Sequence, residues 1–126
     1  MIWLTWFRPA IDLFASREHH QVIPYCSWFP DEQAIGRDAF SMIPWPQRSY
    51  LFPPTPLIKM ALTRLQVDQI TAILIVPNRP TSLWWDTLQD MLLEKPMVLG
   101  FHWKILIGKG PLPHLGVLLA CLVGPQ

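Results

Sequence analysis

The sequence TAILIVP, Thr71–Pro77, decides the fold class that we predict for this chain. The run is mostly apolar, rich in β-branched residues and closed by a proline, which is typical of a strand buried on both faces. We therefore predict a strand over Thr71–Val76. Amphipathic helices are predicted before it, over Thr55–Gln69, and after it, over Ser82–Glu94, because apolar residues recur there every three or four positions. This alternation indicates an α/β domain with a mainly parallel sheet and flanking helices.

Three more strands are predicted at Ala10–Ala15, Ser49–Phe52 and Val98–Phe101, as short, mostly apolar runs. Between the first two lies the segment Ser16–Pro30, whose aromatic residues and prolines predict an extended excursion. A short helix is predicted over Asp31–Ile35, since its first residue suits an N-cap and a glycine follows its last.

The length and composition indicate one domain with more apolar surface than usual. A chain of 126 residues can bury one hydrophobic core but is too short for two domains. We expect a single domain over residues 1–126, with residues 111–126 as an exit linker. Hydrophobic residues make up 51% of the chain, charged residues only 15%, and seven residues are Trp. This apolar excess predicts a surface that a protein partner or the rest of a longer polypeptide covers.

Charge and hydropathy argue against several classes of function. The net charge is +1 and the basic residues are scattered, so we expect only weak affinity for nucleic acid. Trp84-Trp85 is assigned to core and interface rather than to base stacking. The apolar runs at both termini are too short for a secretion signal or a membrane span. We expect an intracellular protein with no membrane partner, in which Cys26 and Cys121 are reduced thiols.

Three motifs follow one another in the sequence: IDLFAS at Ile11–Ser16, YLFPP at Tyr50–Pro54 and ILIVP at Ile73–Pro77. In this order they resemble the module that follows the ribonuclease H region in polyproteins of DIRS-like, tyrosine-recombinase retrotransposons. Further matching segments are Pro9–Arg17, Tyr25–Asp31, Asp38–Phe40, Trp84-Trp85 and the run from His114 to Cys121. That module is similar to Dam-type adenine-N6 DNA methyltransferases. The resemblance therefore implies a small Rossmann-like, methyltransferase-like fold.

The resemblance also implies a site at the strand ends. It implies that Asp12, with Phe14 and Ala15, lies against S-adenosylmethionine, and that Pro53-Pro54 belongs to the catalytic turn. In the family this turn reads Asn/Asp-Pro-Pro-Tyr/Phe. A side-chain oxygen and a backbone carbonyl accept hydrogen bonds from the target amine, while the aromatic ring stacks on the flipped base.

The chain departs from the family pattern where the chemistry takes place. Phe52 stands in the place of the Asn or Asp acceptor, and Thr55 in the place of the stacking aromatic residue. The motif around Asp12 also lacks the glycines that allow a cofactor to approach the backbone. We therefore expect a catalytically inactive structural or interaction domain without a cofactor, whose partners are other polyprotein domains or another protein. The enzyme alternative is S-adenosylmethionine-dependent adenine-N6 methylation; a third interpretation is a relic with no selected role.

Two metal-dependent alternatives have less support. His19-His20 and Cys26 contain potential zinc ligands, but adjacent histidines on a loop rarely converge on one ion and no fourth ligand is evident. Asp12, Asp31 and Asp38 provide carboxylates for a two-metal nuclease, yet they lie outside the active-site motif of the ribonuclease H region. We predict no metal site.

Overall fold

A computed structural model of the chain describes residues 6–15, 25–27, 34, 38–99 and 116–125. In these ranges six strands form one sheet: β1 Ile11–Ala15, β2 Tyr25–Ser27, β3 Ser49–Leu51, β4 Ala72–Pro77, β5 Met97–Val98 and β6 Leu118–Val123. The α-helices are α1, Ile58–Asp68, and α2, Trp85–Met91, and two short 3-10 helices span Ala39–Ser41 and Thr55–Leu57.

The sheet is mainly parallel, as predicted. Its strand order is β2-β1-β3-β4-β6-β5. The four strands from β2 to β4 in this order pair in parallel, whereas β6 is antiparallel to both of its neighbours. Because β4 and β5 both run against β6, they run in the same direction. The chain is therefore a mixed α/β domain in which one antiparallel strand is inserted among parallel ones.

Most of the predicted elements are present, with different ends. The strand predicted over Thr71–Val76 is β4, and α1 follows a 3-10 turn inside the predicted helix. α1 ends where Gln69 takes a left-handed conformation at φ 54°. The second helix, α2, is shorter than predicted at both ends, and β5 begins one residue before the predicted strand. The strand β2 was not predicted and lies inside the predicted excursion. Apart from Ala34, the short helix predicted over Asp31–Ile35 lies outside the described residues, as does the end of the predicted fourth strand.

The prediction of an exit linker over residues 111–126 is wrong for the part that forms β6. Leu118–Val123 lies between β4 and β5 and pairs with β4 along its whole length. Leu118, Ala120, Cys121 and Val123 are fully buried. A short, continuously apolar run is what a strand covered on both faces requires, so its composition reflects burial in the sheet and not an exit from the domain.

The core is divided by the sheet. On one face α1 and α2 pack against the strands through Ile58, Leu62, Leu65, Leu88 and Met91. On the other face Tyr50, Ile73, Ile75 and Leu118 form a second cluster, against which Trp6 and Phe7 pack. Both faces of the central strands are thus covered, which explains why β4 is buried at all six positions.

Candidate site at the carboxyl ends of the parallel strands

The strand order defines where a ligand would bind. The strand β1 pairs with β2 on one side and with β3 on the other, so the chain passes from β1 to β2 on one side and then returns to β3 on the other side of β1. Open α/β sheets bind ligands in the crevice outside the carboxyl ends of the strands at such a switch point. Here those ends are Ala15, the last residue of β1, and Phe52, which directly follows β3. The predicted cofactor motif and the predicted turn therefore share one edge of the sheet.

The turn after β3 is held by packing and by its own backbone. Phe52 is only 8% exposed and belongs to the cluster on the face opposite the helices. Pro53 is buried and Pro54 is exposed, with an extended backbone at φ −54° and ψ 145°. The Pro54 carbonyl accepts a hydrogen bond of 2.8 Å from the Leu57 backbone N–H, which starts the 3-10 helix at the half-buried Thr55. In this turn Pro54 is therefore exposed to solvent, whereas the Phe52 ring is buried.

Asp12 lies within β1, three residues before its carboxyl end, and is 2% exposed. Its Oδ1 accepts a hydrogen bond of 3.3 Å from the Phe14 backbone N–H. The register between β1 and β2 shifts between Asp12 and Ala15, which marks a bulge. A bulge disturbs the regular ladder, and the Asp12 carboxylate provides an acceptor for a backbone N–H inside it.

Phe14, which the family resemblance implies is a cofactor contact, packs into the core. It is 3% exposed, and its ring meets the rings of Phe40 and Trp45 edge to face, at centroid distances of 5.6 and 6.3 Å. Such edge-to-face pairs add stability beyond the area they bury. The described contacts of Phe14 are therefore those of a core residue.

Asp12 is flanked by two tyrosines that are distant from it in the sequence. The strand register sets Tyr25 on β2 and Tyr50 on β3 beside Asp12, so the three residues form one row across the sheet. Both tyrosines are 1% exposed. The Tyr50 hydroxyl is buried and has no hydrogen-bond partner among the described residues. Burial, and then the nearby Asp12 carboxylate, raise the pKa of the Tyr50 hydroxyl well above its usual value.

The buried thiols are also held in their neutral form. Burial raises the pKa of Cys26 to about 11, with further contributions from Asp12 and Asp38. Burial raises the pKa of Cys121 to about 12. A thiolate is the reactive form of cysteine, so both thiols are poor nucleophiles near neutral pH.

The carboxylates considered for a metal site have structural partners where they are described. Asp38 caps the 3-10 helix at Ala39, and its Oδ1 accepts a hydrogen bond of 2.9 Å from the Phe40 backbone N–H. Within the described residues no group of three or more His, Cys, Asp and Glu side chains could hold a metal ion. His19-His20 and Asp31 lie outside the described residues.

A crevice of about 180 Å³ lies at the other edge of the sheet, near the amino end of β4. It is lined by Leu65, Gln66, Gln69, Asp90, Met91 and Gly124, among others. Because the carboxyl ends of β1 and β3 lie at the opposite edge, this crevice does not adjoin the turn at Pro53-Pro54.

The comparisons leave the family of the chain open. No family model, no curated protein and no solved structure matches the sequence. In the described ranges, no helix has the length and apolar character needed to cross a membrane. The function proposed below therefore depends on the sequence motifs together with the geometry of the sheet edge.

Proposed function

We propose that this chain is a methyltransferase-like domain of the DIRS-like retrotransposon type that transfers no methyl group. Its fold is Rossmann-like, and it serves as a structural or interaction domain for other domains of a polyprotein or for a protein partner. Support for the fold comes from the parallel strands β1 to β4, the switch point at β1, and the crossover from β3 through α1 to β4.

One observation carries the proposal of inactivity: Phe52 is buried, and the family resemblance aligns it with the Asn or Asp that accepts the hydrogen bond in the family. A phenyl ring cannot accept the hydrogens of an amine, so it cannot align the amine lone pair with a methyl donor. The ring also packs in the same cluster as Tyr50 and Ile73, which gives Phe52 a structural role. Thr55 likewise provides no ring on which a base could stack.

The hydrogen bond of Asp12 to the backbone of β1 also supports the proposal of inactivity. Its carboxylate is buried and accepts a hydrogen bond from the backbone of the bulge in β1. This role needs no cofactor, since it follows from the irregular pairing of β1 with β2.

The enzyme alternative has one observation in its favour, which is the switch point at the carboxyl ends of β1 and β3. In that alternative the methyl group moves from the sulfonium of S-adenosylmethionine to the exocyclic amine of adenine. The amine loses a proton, and S-adenosylhomocysteine leaves. Asp12 would then face the cofactor, and the Pro53-Pro54 turn would face the base.

Calorimetric titration with S-adenosylmethionine separates the two functions. We expect no binding heat up to millimolar cofactor, with circular dichroism confirming that the chain is folded. Saturable binding that Asp12→Asn weakens would favour the enzyme alternative. The proposed origin has its own test in the coding sequence before Met1, where we expect a reverse transcriptase and a ribonuclease H in the same frame; unrelated sequence there would contradict it.

A further inference from the structure

The crevice near the amino end of β4 is enclosed by three segments of the chain that bind one another. The carboxyl-terminal ends of α1 and α2 form its sides, and the segment after β6 completes it. The Gly124 backbone N–H donates a hydrogen bond of 3.1 Å to the Met91 carbonyl, which attaches that segment to the end of α2. A Cβ atom added at Gly124 would lie 2.9 Å from the Thr71 Oγ1, so the backbone here approaches the start of β4 closely. The walls of the crevice are therefore fixed by backbone contacts.

The polar groups of the crevice can accept hydrogen bonds. Asp90, in the last turn of α2, is exposed, and its carboxylate has no hydrogen bond or ion pair with the described residues. Gln69 donates from its Nε2 to the Gln66 carbonyl at 2.8 Å, which leaves the amide oxygen Oε1 as the end that can accept from a ligand. None of the described residues that line the crevice is basic. The crevice therefore provides a carboxylate and an amide oxygen without a cation of its own.

The helix ends add negative potential at the same place. An α-helix carries a partial negative charge at its carboxyl end, which a lysine or arginine in the last turn can offset. Neither α1 nor α2 has a basic residue in its last turn. Asp68 is paired with Arg64 and is not part of the crevice lining, so the negative potential there comes from Asp90 and from the helix ends.

The size and the apolar wall of the crevice favour a small organic cation. Leu65 and Met91, which are 1% and 5% exposed, form the apolar part of the wall. The volume of about 180 Å³ is smaller than that of pockets for drug-sized ligands, roughly 300–1,000 Å³, and suits a group the size of one side chain. A hard metal ion needs about six to eight oxygen ligands, and the described ranges contain no group of three or more His, Cys, Asp and Glu side chains that could hold one.

We propose that this crevice binds a primary alkylammonium group, which belongs either to a free amine or to a lysine side chain of another protein. The ammonium donates hydrogen bonds to the Asp90 carboxylate and to the Gln69 Oε1, and the methylene chain packs against Leu65 and Met91. This inference goes beyond the function proposed above and does not depend on it, because the crevice and the candidate site lie at opposite edges of the sheet.

Two amines distinguish the two sources in a titration of the full, isotope-labelled chain followed by NMR at constant ionic strength. We expect cadaverine to shift the backbone amide signals of Gly124 and Gln69 with a dissociation constant on the order of 1 mM. Binding of cadaverine but not of Nα-acetyl-lysine amide would assign the site to a free amine, and binding of both would assign it to a lysine side chain. Pentanediol, which has the same length without charge, should cause no saturable shift.

Three variants test which side chains hold the ammonium. Asp90→Asn removes the carboxylate charge and should weaken binding at least about fivefold. Asp86→Asn is the matched control, because Asp86 is also exposed on α2 but lies in its first turn; its affinity should equal that of the unmodified chain. Gln69→Gly removes the amide and suits the left-handed backbone at φ 54°, so it should keep the end of α1 intact and weaken binding about twofold to fivefold.

A chain that shows no saturable shift with either amine up to about 20 mM, about twenty times the expected dissociation constant, would overturn the proposal. Shifts that pentanediol reproduces, or that Asp90→Asn weakens no more than Asp86→Asn does, would also overturn it. None of these outcomes bears on the binding of S-adenosylmethionine at the other edge of the sheet, so the two proposals fail independently.

Discussion

Arg64 and Asp68, one turn apart on α1, jointly hold Trp45 against the helix. The Arg64 Nε donates to the Asp68 Oδ2 at 2.8 Å, and the same oxygen accepts the Trp45 backbone N–H at 2.8 Å. The Arg64 guanidinium also lies 5.0 Å from the centre of the Trp45 ring. The pair therefore couples α1 to the segment that leads into β3. The Asp68 carboxylate binds the Trp45 backbone, and the Arg64 guanidinium lies over the Trp45 ring.

Arg64→Ala should lower the free energy of unfolding by about 2–4 kcal/mol, because it removes several charge-assisted hydrogen bonds and leaves the partly buried Asp68 without its cation. Arg64→Lys should recover only a minor part of the lost stability. A single ammonium group cannot donate at once to the Asp68 carboxylate and to the carbonyls of Phe40 and Met42, as the planar guanidinium does. Urea unfolding followed by tryptophan fluorescence measures both. Full rescue by lysine would show that only the charge matters.

Tyr50→Phe should not destabilise the domain and should raise the free energy of unfolding by up to about 1 kcal/mol. The substitution removes a buried hydroxyl with no partner among the described residues and keeps the ring in its cluster. Tyr50→Ala is the control and should cost about 3–5 kcal/mol through the cavity it leaves. A loss of stability in Tyr50→Phe would mean that the hydroxyl is hydrogen-bonded in solution.

Asp12→Ala should lower the free energy of unfolding by about 1–3 kcal/mol, because the bulge in β1 loses its carboxylate acceptor. Asp12→Asn keeps an acceptor oxygen and should cost less. It should also lower the pKa of the Cys26 thiol, which the Asp12 charge helps to raise. Denaturant unfolding and the ultraviolet absorbance of the thiolate measure the two effects. An alanine variant as stable as the parent would contradict a structural role for Asp12.

Stability should fall with rising pH above about 9, the ordinary thiol pKa. The folded state keeps Cys26 and Cys121 protonated to about pH 11 and 12, whereas the unfolded chain releases these protons near pH 9. The unfolded state then binds fewer protons, so each thiol lowers the free energy of unfolding by up to about 1.4 kcal/mol per pH unit in this window. Below pH 9 both thiols stay protonated in either state, and their contribution to the free energy of unfolding is fully present. A Cys26→Ala/Cys121→Ala double variant should show a shallower slope above pH 9; an equal slope would exclude the thiols as its cause.

Local patterns were sufficient to predict the elements that carry their own signal. The continuous apolar run of β4 and the helical spacing in α1 indicate strand and helix without knowledge of the fold. By contrast, β2 has only three residues and is defined by its pairing with β1. The run that forms β6 follows a segment rich in proline and glycine, and its central place in the sheet depends on a contact with β4 far away in sequence.

The candidate site was predictable only where it depends on local sequence. Strand ends at Ala15 and Phe52 follow from the strands themselves, so their common edge could be expected from a parallel sheet. The row of Tyr25, Asp12 and Tyr50 could not, because it depends on the register between strands and on a bulge that local sequence does not specify. Single-sequence patterns identify strands but not which residues of different strands become neighbours.

The most direct test of the central claim is methyl transfer itself. The purified, folded chain would be incubated with S-adenosylmethionine labelled on its methyl group and with adenine-containing DNA, in single-stranded and duplex form, and the label in the DNA would be counted. We predict incorporation no greater than in a reaction without the protein, because Phe52 offers no acceptor to the target amine. Incorporation above that background, lost in an Asp12→Asn variant that remains folded, would contradict the account.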